Sequence, residues 1–357
     1  MKIIQLIDSL EAGGAERMAV NYANELSLKI DFSGLVVSRK EGFLLNQINE
    51  NVNYFFLNKK KIIDFKAILK LNKFIKSNKI DLIHAHSTSF FLAFIIKLIN
   101  PRLKLLWHDH YGDSEFLNKR PSLALKITIP FFWGIIAVNQ NLKTWAYKTL
   151  NSKNVIFLPN FPLKNNESSE KTILKGSNNK RIVCLANLRA QKNHFLLIKL
   201  AEKLKISNSD WTFHLVGKDF MDSYSKKIKS LIIESSLQDN VFIYDSKQDI
   251  ENILNQSEIA ILTSSSEGLP LALLEYGLYK KPVVVTDVGE IPAIICNNEN
   301  GILIPTKNAE LFLFELINLI ENQNFRINLG QNLFKTISIK YSKQVVITQY
   351  LNWIDKL

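Results

Sequence analysis

Short, unbroken apolar runs alternate with helix-patterned stretches along almost the whole chain. KIIQLI leads into a polar turn, DSLEAGG, and then into AERMAVNYANELS, whose apolar residues recur with a helical period. The order then repeats. GLVVS follows, then a helix near 66–77 before DLIHAH, and a helix near 89–99 before LKLLWH. After the 121–134 region come IIAV, a helix near 141–149 and NVIFLP. A strand that is apolar at every position has no face to give to water. Such strands demand a parallel sheet with helices on both sides.

The alternation stops at 161–180. FPLKNNESSEKTILKGSNNK is polar and carries Pro162 and Gly176, as a linker would. It then restarts with RIVCLA, a helix at 193–205, WTFHLVG, a helix at 222–235, NVFIY, EIAILT, a helix at 270–279, PVVVT and GILIP. From about 309 onwards the chain reads as mostly helical. Two α/β domains of similar size are expected, 1–165 and 166–340, with a terminal helix at 341–357. The carboxyl ends of both sheets are expected to face a cleft, the usual ligand position in such folds.

Length fits this division, because 357 residues is long for one domain. A hydrophobic fraction of 46% against 22% charged residues excludes a disordered chain. The formal charge of +12 favours anionic partners: phosphorylated small molecules, an acidic membrane surface or nucleic acid. No reading helix accompanies the charge, so nucleic acid is not expected. Cys184 sits in a strand and Cys296 near an element end. Neither spacing suggests zinc or a disulfide, which fits a reducing cytoplasm. No transmembrane span is expected, since FFLAFIIKLI and LALKITIPFFWGIIAV are both interrupted by lysine.

SSSEGLPLALLEYG, 264–277, places one carboxylate before an apolar helix and another inside it. Glu275 among leucines needs a partner or an outlet to water. Pro270 suits the first helical turn. Glu267 falls in the preceding loop, beside Gly268 and Leu269, where helix-start N–H groups welcome an anion. In ANLRAQKNH, Arg189 and Lys192 leave the first strand of the second half together, as two cations for a diphosphate would. Gly217 allows a close backbone turn beside the same ligand. In EAGGAER, Gly13 and Gly14 allow a close approach after the first strand, but no GxGxxG follows, which argues against a dinucleotide enzyme.

Four of the six histidines form two pairs at strand ends, His84 with His86 and His108 with His110. Zinc is compatible with the spacing but lacks supporting ligands. His84 reads as structural. His108 and Asp109, in WHDHYGD, read as catalytic or substrate-contacting. Phosphate-binding cations beside carboxylates that suit sugar hydroxyls describe a nucleotide sugar.

The motifs then converge. Glu267–Gly268–Leu269–Pro270 through Glu275 matches an E-x7-E pattern. KKPVVVTDVGEIPAII (280–295), Gly13–Gly14, Leu158–Asn160 and IIAVN at 135–139 join it. The chain thereby resembles the family 4, group 1, glycosyltransferases of GT-B fold over nearly its whole length. That resemblance implies a retaining, metal-independent sugar transfer from a nucleotide-sugar donor, UDP-linked in expectation. The acceptor would be a hydroxyl of a glycan or polyprenyl-diphosphate-linked oligosaccharide in cell-surface polysaccharide synthesis. No cofactor is implied, because the nucleotide sugar is a substrate. Glu275 would hold ribose hydroxyls and Glu267 would face the donor sugar. Lys192 would bind phosphate, Gly14 would touch the diphosphate and His108 would stand near the reaction centre. Asp109 and His110 are assigned to the acceptor. The terminal helix would pack on the N-terminal domain.

One position departs from the family: Asn187 stands where relatives often carry arginine, and Arg189 lies two residues on. An inactive partner subunit, or an epimerase or phosphorylase of the same fold, are the alternatives. Basic, apolar-rich stretches at 58–63, 70–79 and 119–134 suggest peripheral attachment to an anionic membrane from the cytoplasmic side.

Overall fold

The computed structural model describes residues 1–164 and 171–357. They form two compact units, Met1–Phe161 with Lys343–Leu357, and Pro162–Ser342. The boundary expected between 165 and 166 lies outside the described residues.

The first unit holds β1 (Lys2–Ser9), β2 (Phe32–Lys40), β3 (Asn53–Phe56), β4 (Leu82–His86), β5 (Lys104–Asp109), β6 (Gly134–Ala137) and β7 (Val155–Phe157). All pair in parallel, in the order β3-β2-β1-β4-β5-β6-β7. The helices among them are α1 (Gly14–Leu26), α2 (Phe65–Asn78), α3 (Phe90–Ile99), α4 (Leu123–Thr128) and α5 (Gln140–Leu150). The period-two geometry of a strand divides each apolar run between two cores. Ile4, Leu6, Ile83 and Leu105 pack against Leu71 and Ile75 of α2 and Ile96 of α3. Ile7, Leu35 and Val37 pack on the other side against Ala19, Val20 and Ala23 of α1. Helix starts follow local chemistry. The Asp64 carboxylate accepts the Ala67 N–H at 3.1 Å to open α2, and Asn139 accepts the Leu142 N–H at 2.7 Å to open α5.

The second unit holds β8 (Arg181–Leu185), β9 (Thr212–Val216), β10 (Val241–Tyr244), β11 (Ile259–Leu262), β12 (Val283–Thr286) and β13 (Ile302–Ile304). They are again all parallel, in the order β10-β9-β8-β11-β12-β13. Its helices are α6 (His194–Ser207), α7 (Ser223–Glu234), α8 (Ile250–Asn255), α9 (Leu271–Leu278), α10 (Ile291–Ile294), α11 (Ala309–Glu321) and α12 (Gln323–Lys340). Its core gathers Ile182, Phe213, Ile261 and Val284 from the sheet with Leu197, Ile228 and Phe312 from the helices.

The last helix, α13 (Lys343–Ile354), belongs to the first unit. Lys343 bonds Glu25 of α1 at 2.8 Å, and the Tyr350 hydroxyl lies 3.1 Å from His84 Nδ1. Trp353 lies against Gly134, where a Cβ would come within 2.6 Å of the indole.

Two elements depart from the sequence reading. Asn53–Phe56 is a strand, although four residues carry too little periodicity to show it. Ile250–Asn255 is a helix of six residues, below the length at which a helical period is visible. Pro270 sits at the N-cap position of α9, with extended ψ, rather than inside the first turn. Among the described residues, no helix is long and apolar enough to cross a membrane.

In each unit the parallel arrangement sends every strand-to-helix loop out of one sheet edge. Gly13, Gly14, Asp109, His110, Arg189, Lys192, Gly217, Glu267, Gly268, Leu269 and Glu275 lie on that edge or in the loops and first turns after it.

Candidate active site

In the second unit, the outlets of β8 and β9 are clasped together. Asn187 Oδ1 accepts the Lys218 N–H at 2.8 Å, and the Leu188 N–H donates to the Lys218 carbonyl at 3.0 Å. Gly217 makes the clasp possible, because a Cβ there would come within 2.4 Å of the Ala186 carbonyl oxygen. Asn187 is therefore an architectural residue here. Its amide sets the path of the neighbouring loop, which brings Lys218 to the same mouth. Arg189 is exposed, with its guanidinium 4.6 Å from the centre of the Phe220 ring; the Lys218 ammonium lies 5.2 Å from that ring. Two cations thus stand by one aromatic ring. Sequence reasoning named Arg189 and missed Lys218, whose only signal was its position after Gly217.

The chain next makes a tight turn, Ala190–Lys192, and enters α6 through Asn193 in left-handed conformation. This turn is tied to the outlet of β11. The Gln191 carbonyl accepts from the Ser265 N–H at 2.8 Å, and the Lys192 carbonyl accepts from Thr263 Oγ1 at 3.0 Å. The consequence is a polar cluster. Lys192 Nζ and Ser264 Oγ each donate to Glu267 Oε1 at 2.6 Å. The Lys192 and Glu267 side chains are 19% and 5% exposed, so the pair is shielded from water while its lysine still reaches the surface. The structure brings Lys192 and Glu267 into contact although 75 residues separate them.

A third loop, after β12, closes on Glu267 from behind. Gly289 has φ +57°, and a Cβ there would lie 2.0 Å from the Glu267 carbonyl oxygen. The Glu290 N–H donates to the Gly268 carbonyl at 3.0 Å, and Thr286 Oγ1 donates to the Ser264 carbonyl at 2.7 Å. The peptide carrying Glu267, Gly268 and Leu269 is held on both sides, which is what a site built on a loop needs. Glu275 is buried at 7% exposure within α9. Its neighbour Tyr276 anchors that helix under the sheet. The Tyr276 hydroxyl accepts the Leu185 N–H at 2.6 Å and lies 3.4 Å from the Ile261 carbonyl. Beside the cluster, burial pushes the Cys184 thiol up to about 12. Burial, with the Lys192 charge second, pushes His194 down to about 4. Both neighbours are neutral near pH 7 and add no charge to the cluster.

In the first unit, Gly13 caps α1 in extended conformation and Gly14 opens it. Nothing lies within 4 Å of where a Gly14 Cβ would be, whereas the Glu16 carboxylate occupies the space a Gly13 Cβ would take, so the α1 start is open at Gly14 and covered by a carboxylate at Gly13. The histidines form one stack. His84 Nε2 is 3.2 Å from His108 Nδ1, His86 Nδ1 is 3.0 Å from His110 Nε2, and His86 Nε2 is 2.8 Å from Gln5 Oε1. Tyr22 sits edge-on to His84 and His108, with ring centres 5.1 and 5.6 Å away. Burial depresses all four pKa values, His110 to about 3 and the others well below the usual imidazole range.

His108, expected near the reaction centre, and Asp109, expected at the acceptor, both lie beneath the surface of the first unit. His108 is fully buried, its Nε2 has no hydrogen-bond partner among the described residues, and the side chain has no exposed surface. Asp109 is 1% exposed and spends both oxygens on Arg120, at 2.6 and 2.8 Å. The Arg120 guanidinium is in turn 4.2 Å from the Tyr111 ring centre and 4.3 Å from that of Trp145. Asp109 therefore pins the base of the 110–119 loop, and His110, partly exposed, is the member of the group that meets the surface. Three of the imidazoles, those of His84, His86 and His108, present nitrogens within 4.8 Å of one another. Neutral imidazoles at that spacing could hold a transition metal. No carboxylate stands among their hydrogen-bond partners to offset a divalent charge, and metal binding would break the His84–His108 bond.

Two family descriptions divide the chain between them. "Glycosyltransferase Family 4" matches residues 12–161, and "Glycosyl transferases group 1" matches residues 165–336. The amylovoran biosynthesis glycosyltransferase AmsD of Erwinia amylovora is 23% identical over 98% of this chain and 98% of its own. A relative in Escherichia coli is named UDP-Gal:alpha-D-GlcNAc-diphosphoundecaprenol alpha-1,3-galactosyltransferase. It is 23% identical over 91% of this chain and 88% of its own. Among solved structures, Anabaena HepE in complex with UDP superposes with a TM-score of 0.76 over 100% of both chains, at 19% identity. With its two parallel-sheet units, its paired carboxylates around α9 and these matches over both halves, the chain belongs to the family 4, group 1, glycosyltransferases of GT-B fold.

Proposed function

We propose that the protein is a retaining glycosyltransferase. It moves a sugar from a UDP-linked donor to a hydroxyl of a glycan or lipid-diphosphate-linked acceptor in cell-surface polysaccharide synthesis. The observation that carries this reading is the Lys192–Ser264–Glu267 cluster at the foot of α9. Lys192 reaches out from a buried carboxylate that fixes its position. It is thus a preorganised cation for the departing diphosphate, which becomes more anionic as the glycosidic bond breaks. Glu267 faces the donor sugar, and Glu275, one turn into α9, accepts ribose hydroxyls. Arg189 and Lys218 supply the positive charge that relatives draw from an arginine at position 187. Gly13 and Gly14 offer backbone N–H groups to the diphosphate. The cations and helix start do the work of a divalent ion, so no metal is required. The E. coli relative's named donor and diphosphoundecaprenol-borne acceptor support the substrate classes, as does the UDP in the HepE complex. His110 contacts the acceptor, while His108 and Asp109 position that contact. The excess of positive charge supports an anionic membrane surface as a further partner, met from the cytoplasmic side.

Calorimetry of the purified protein against UDP, GDP, ADP and CMP, without added metal, tests the donor site. Micromolar binding of UDP that Glu275→Ala abolishes is the expected result. Absence of binding by all four nucleotides overturns the reading and favours an inactive partner subunit.

A further inference from the structure

The second unit has a cavity of about 550 Å³ at the amino-terminal edge of its sheet, lined by none of the candidate active-site residues. Its walls come from the chain just before β8, β11 and β12 and from the start of α12. The candidate active site opens from the carboxyl ends of the same strands. Strands of four or five residues lie between the two, roughly 13–17 Å at about 3.3 Å per residue. One small ligand cannot touch both.

Three cations converge on the cavity, Lys280, Lys281 and Arg326, against one carboxylate, Glu258. Glu258 Oε2 already accepts the Arg181 N–H at 2.8 Å. Lys281 Nζ donates to the Ser257 carbonyl at 2.8 Å, and Arg326 Nη1 donates to the Leu319 and Ile320 carbonyls at 2.8 and 3.1 Å. An ammonium and a guanidinium carry more N–H donors than these bonds use, so both can serve the fold and a ligand together. Burial lowers the pKa of Lys281 and raises that of Glu258, as it does for charges drawn partly out of water. Lys280 is exposed and adds a third positive charge at the rim. Its backbone is fixed: φ is +56° where α9 gives way to β12, and α12 packs so closely there that a Cβ on Gly330 would come within 2.1 Å of the Lys280 carbonyl oxygen.

The rest of the lining narrows the ligand. Three cations suit a dianion such as a phosphate monoester. Asn255, Gln323 and Gln331 add amide donors and acceptors, which match hydroxyl groups. Among the described lining residues none is aromatic, so a nucleobase finds no stacking partner. We propose that this cavity is a second ligand site, taking the phosphate monoester of a small polyhydroxylated molecule, a sugar phosphate. Lys280, Lys281 and Arg326 hold the phosphate, and Asn255, Gln323 and Gln331 meet the hydroxyls. The Lys281 N–H donates to the Tyr276 carbonyl at 2.8 Å, which ties the cationic wall to the far end of the helix that carries Glu275. The site stands on its own geometry and does not depend on the donor reading.

Calorimetry of the UDP-saturated protein with glucose 6-phosphate, inorganic phosphate and glucose tests it. Glucose 6-phosphate is expected to bind, more tightly than inorganic phosphate, and glucose is expected not to bind. Lys280→Glu and Arg326→Gln are each expected to weaken glucose 6-phosphate binding about 10–100-fold, the loss for a hydrogen bond to a charged group. An unchanged melting temperature verifies folding. Arg326 also caps the last turn of α11, so if its variant melts early the exposed Lys280→Glu decides alone. Glu275→Ala is expected to lose UDP and keep glucose 6-phosphate. Absence of glucose 6-phosphate binding overturns the proposal, as does binding that Lys280→Glu leaves unchanged. Equal affinity for inorganic phosphate overturns the sugar-phosphate class. Displacement by UDP, or loss of glucose 6-phosphate binding in Glu275→Ala, puts the ligand in the candidate active site and overturns the second one. Failure of UDP to bind removes the donor reading alone.

Discussion

Lys192 and Glu267 show how much one pair can decide. Lys192→Ala removes the ion pair to a carboxylate that is 5% exposed. Leaving that carboxylate buried without its cation costs about 3–5 kcal/mol of stability. It also weakens UDP binding roughly 10–100-fold, the loss expected for a hydrogen bond to a charged group. Lys192→Met with Glu267→Gln is expected to recover the melting temperature without the affinity. Recovery of both by the double variant would show that the pair serves only the fold. Gly289→Ala is a sharper test of the loop behind Glu267, since both its φ of +57° and the 2.0 Å approach forbid a side chain. It is expected to lower the melting temperature and UDP affinity together; an unchanged affinity would separate that loop from the site. Glu267, Lys192 and Glu275 were legible in the sequence because charge in an apolar setting is conspicuous. Ser264, Tyr276, Lys218 and Gly289 were not, because their value comes from partners distant in sequence. The surroundings of His108 and Asp109 were hidden for the same reason. Polar residues at a strand's carboxyl end look like site residues, and neither Arg120 nor the other imidazoles announce themselves as their partners.

At the scale of elements, the ends of β4 and β5 make a pH-sensitive joint. Their four histidines have folded pKa values below the unfolded value, His110 at about 3. A depressed pKa means that the unfolded chain takes up protons that the folded chain refuses. The stability this confers is therefore complete above about pH 6.5 and is lost as pH falls towards 3. Each histidine contributes a slope of about 1.4 kcal/mol per pH unit in that window, so the joint is steep. Urea unfolding of the first unit between pH 7.5 and 4.5 (a range chosen around that roughly 6.5 midpoint) is expected to show flat stability at the upper end and a steep fall below. His84→Asn with His86→Gln should flatten the curve, whatever it does to absolute stability. A curve unmoved by the substitutions would place the acid sensitivity elsewhere. Most of the elements could be read from sequence, since unbroken apolar runs such as IAIL and VVVT admit one architecture. β3 and α8 escaped because four and six residues are too short to display a period. The joint itself was invisible, because it depends on β4 lying beside β5 with His86 opposite His108.

The whole molecule consists of two units with separate cores, and this separates its responses. The cluster at Lys192 lies in the second unit, and four of the six histidines lie in the first. His194 and His214, in the second, are depressed by burial to about 4 and about 3. The first unit thus carries twice as many depressed histidines, and its melting transition should move further on acidification from pH 7.5 to 5.5, which spans the unperturbed histidine value of about 6.5. That difference identifies the two transitions in a calorimetric scan. UDP at about one hundred times its dissociation constant adds about 2.7 kcal/mol to whatever unit binds it. The expected outcome is that UDP raises the less acid-sensitive transition, and that Glu275→Ala removes the rise while leaving the other transition in place. A rise confined to the acid-sensitive transition would put the nucleotide in the first unit, and the donor role of Lys192, Glu267 and Glu275 would fall with it. A joint rise of both transitions would mean that nucleotide binding couples the units, and Gly13→Val would then test whether the α1 start shares the ligand.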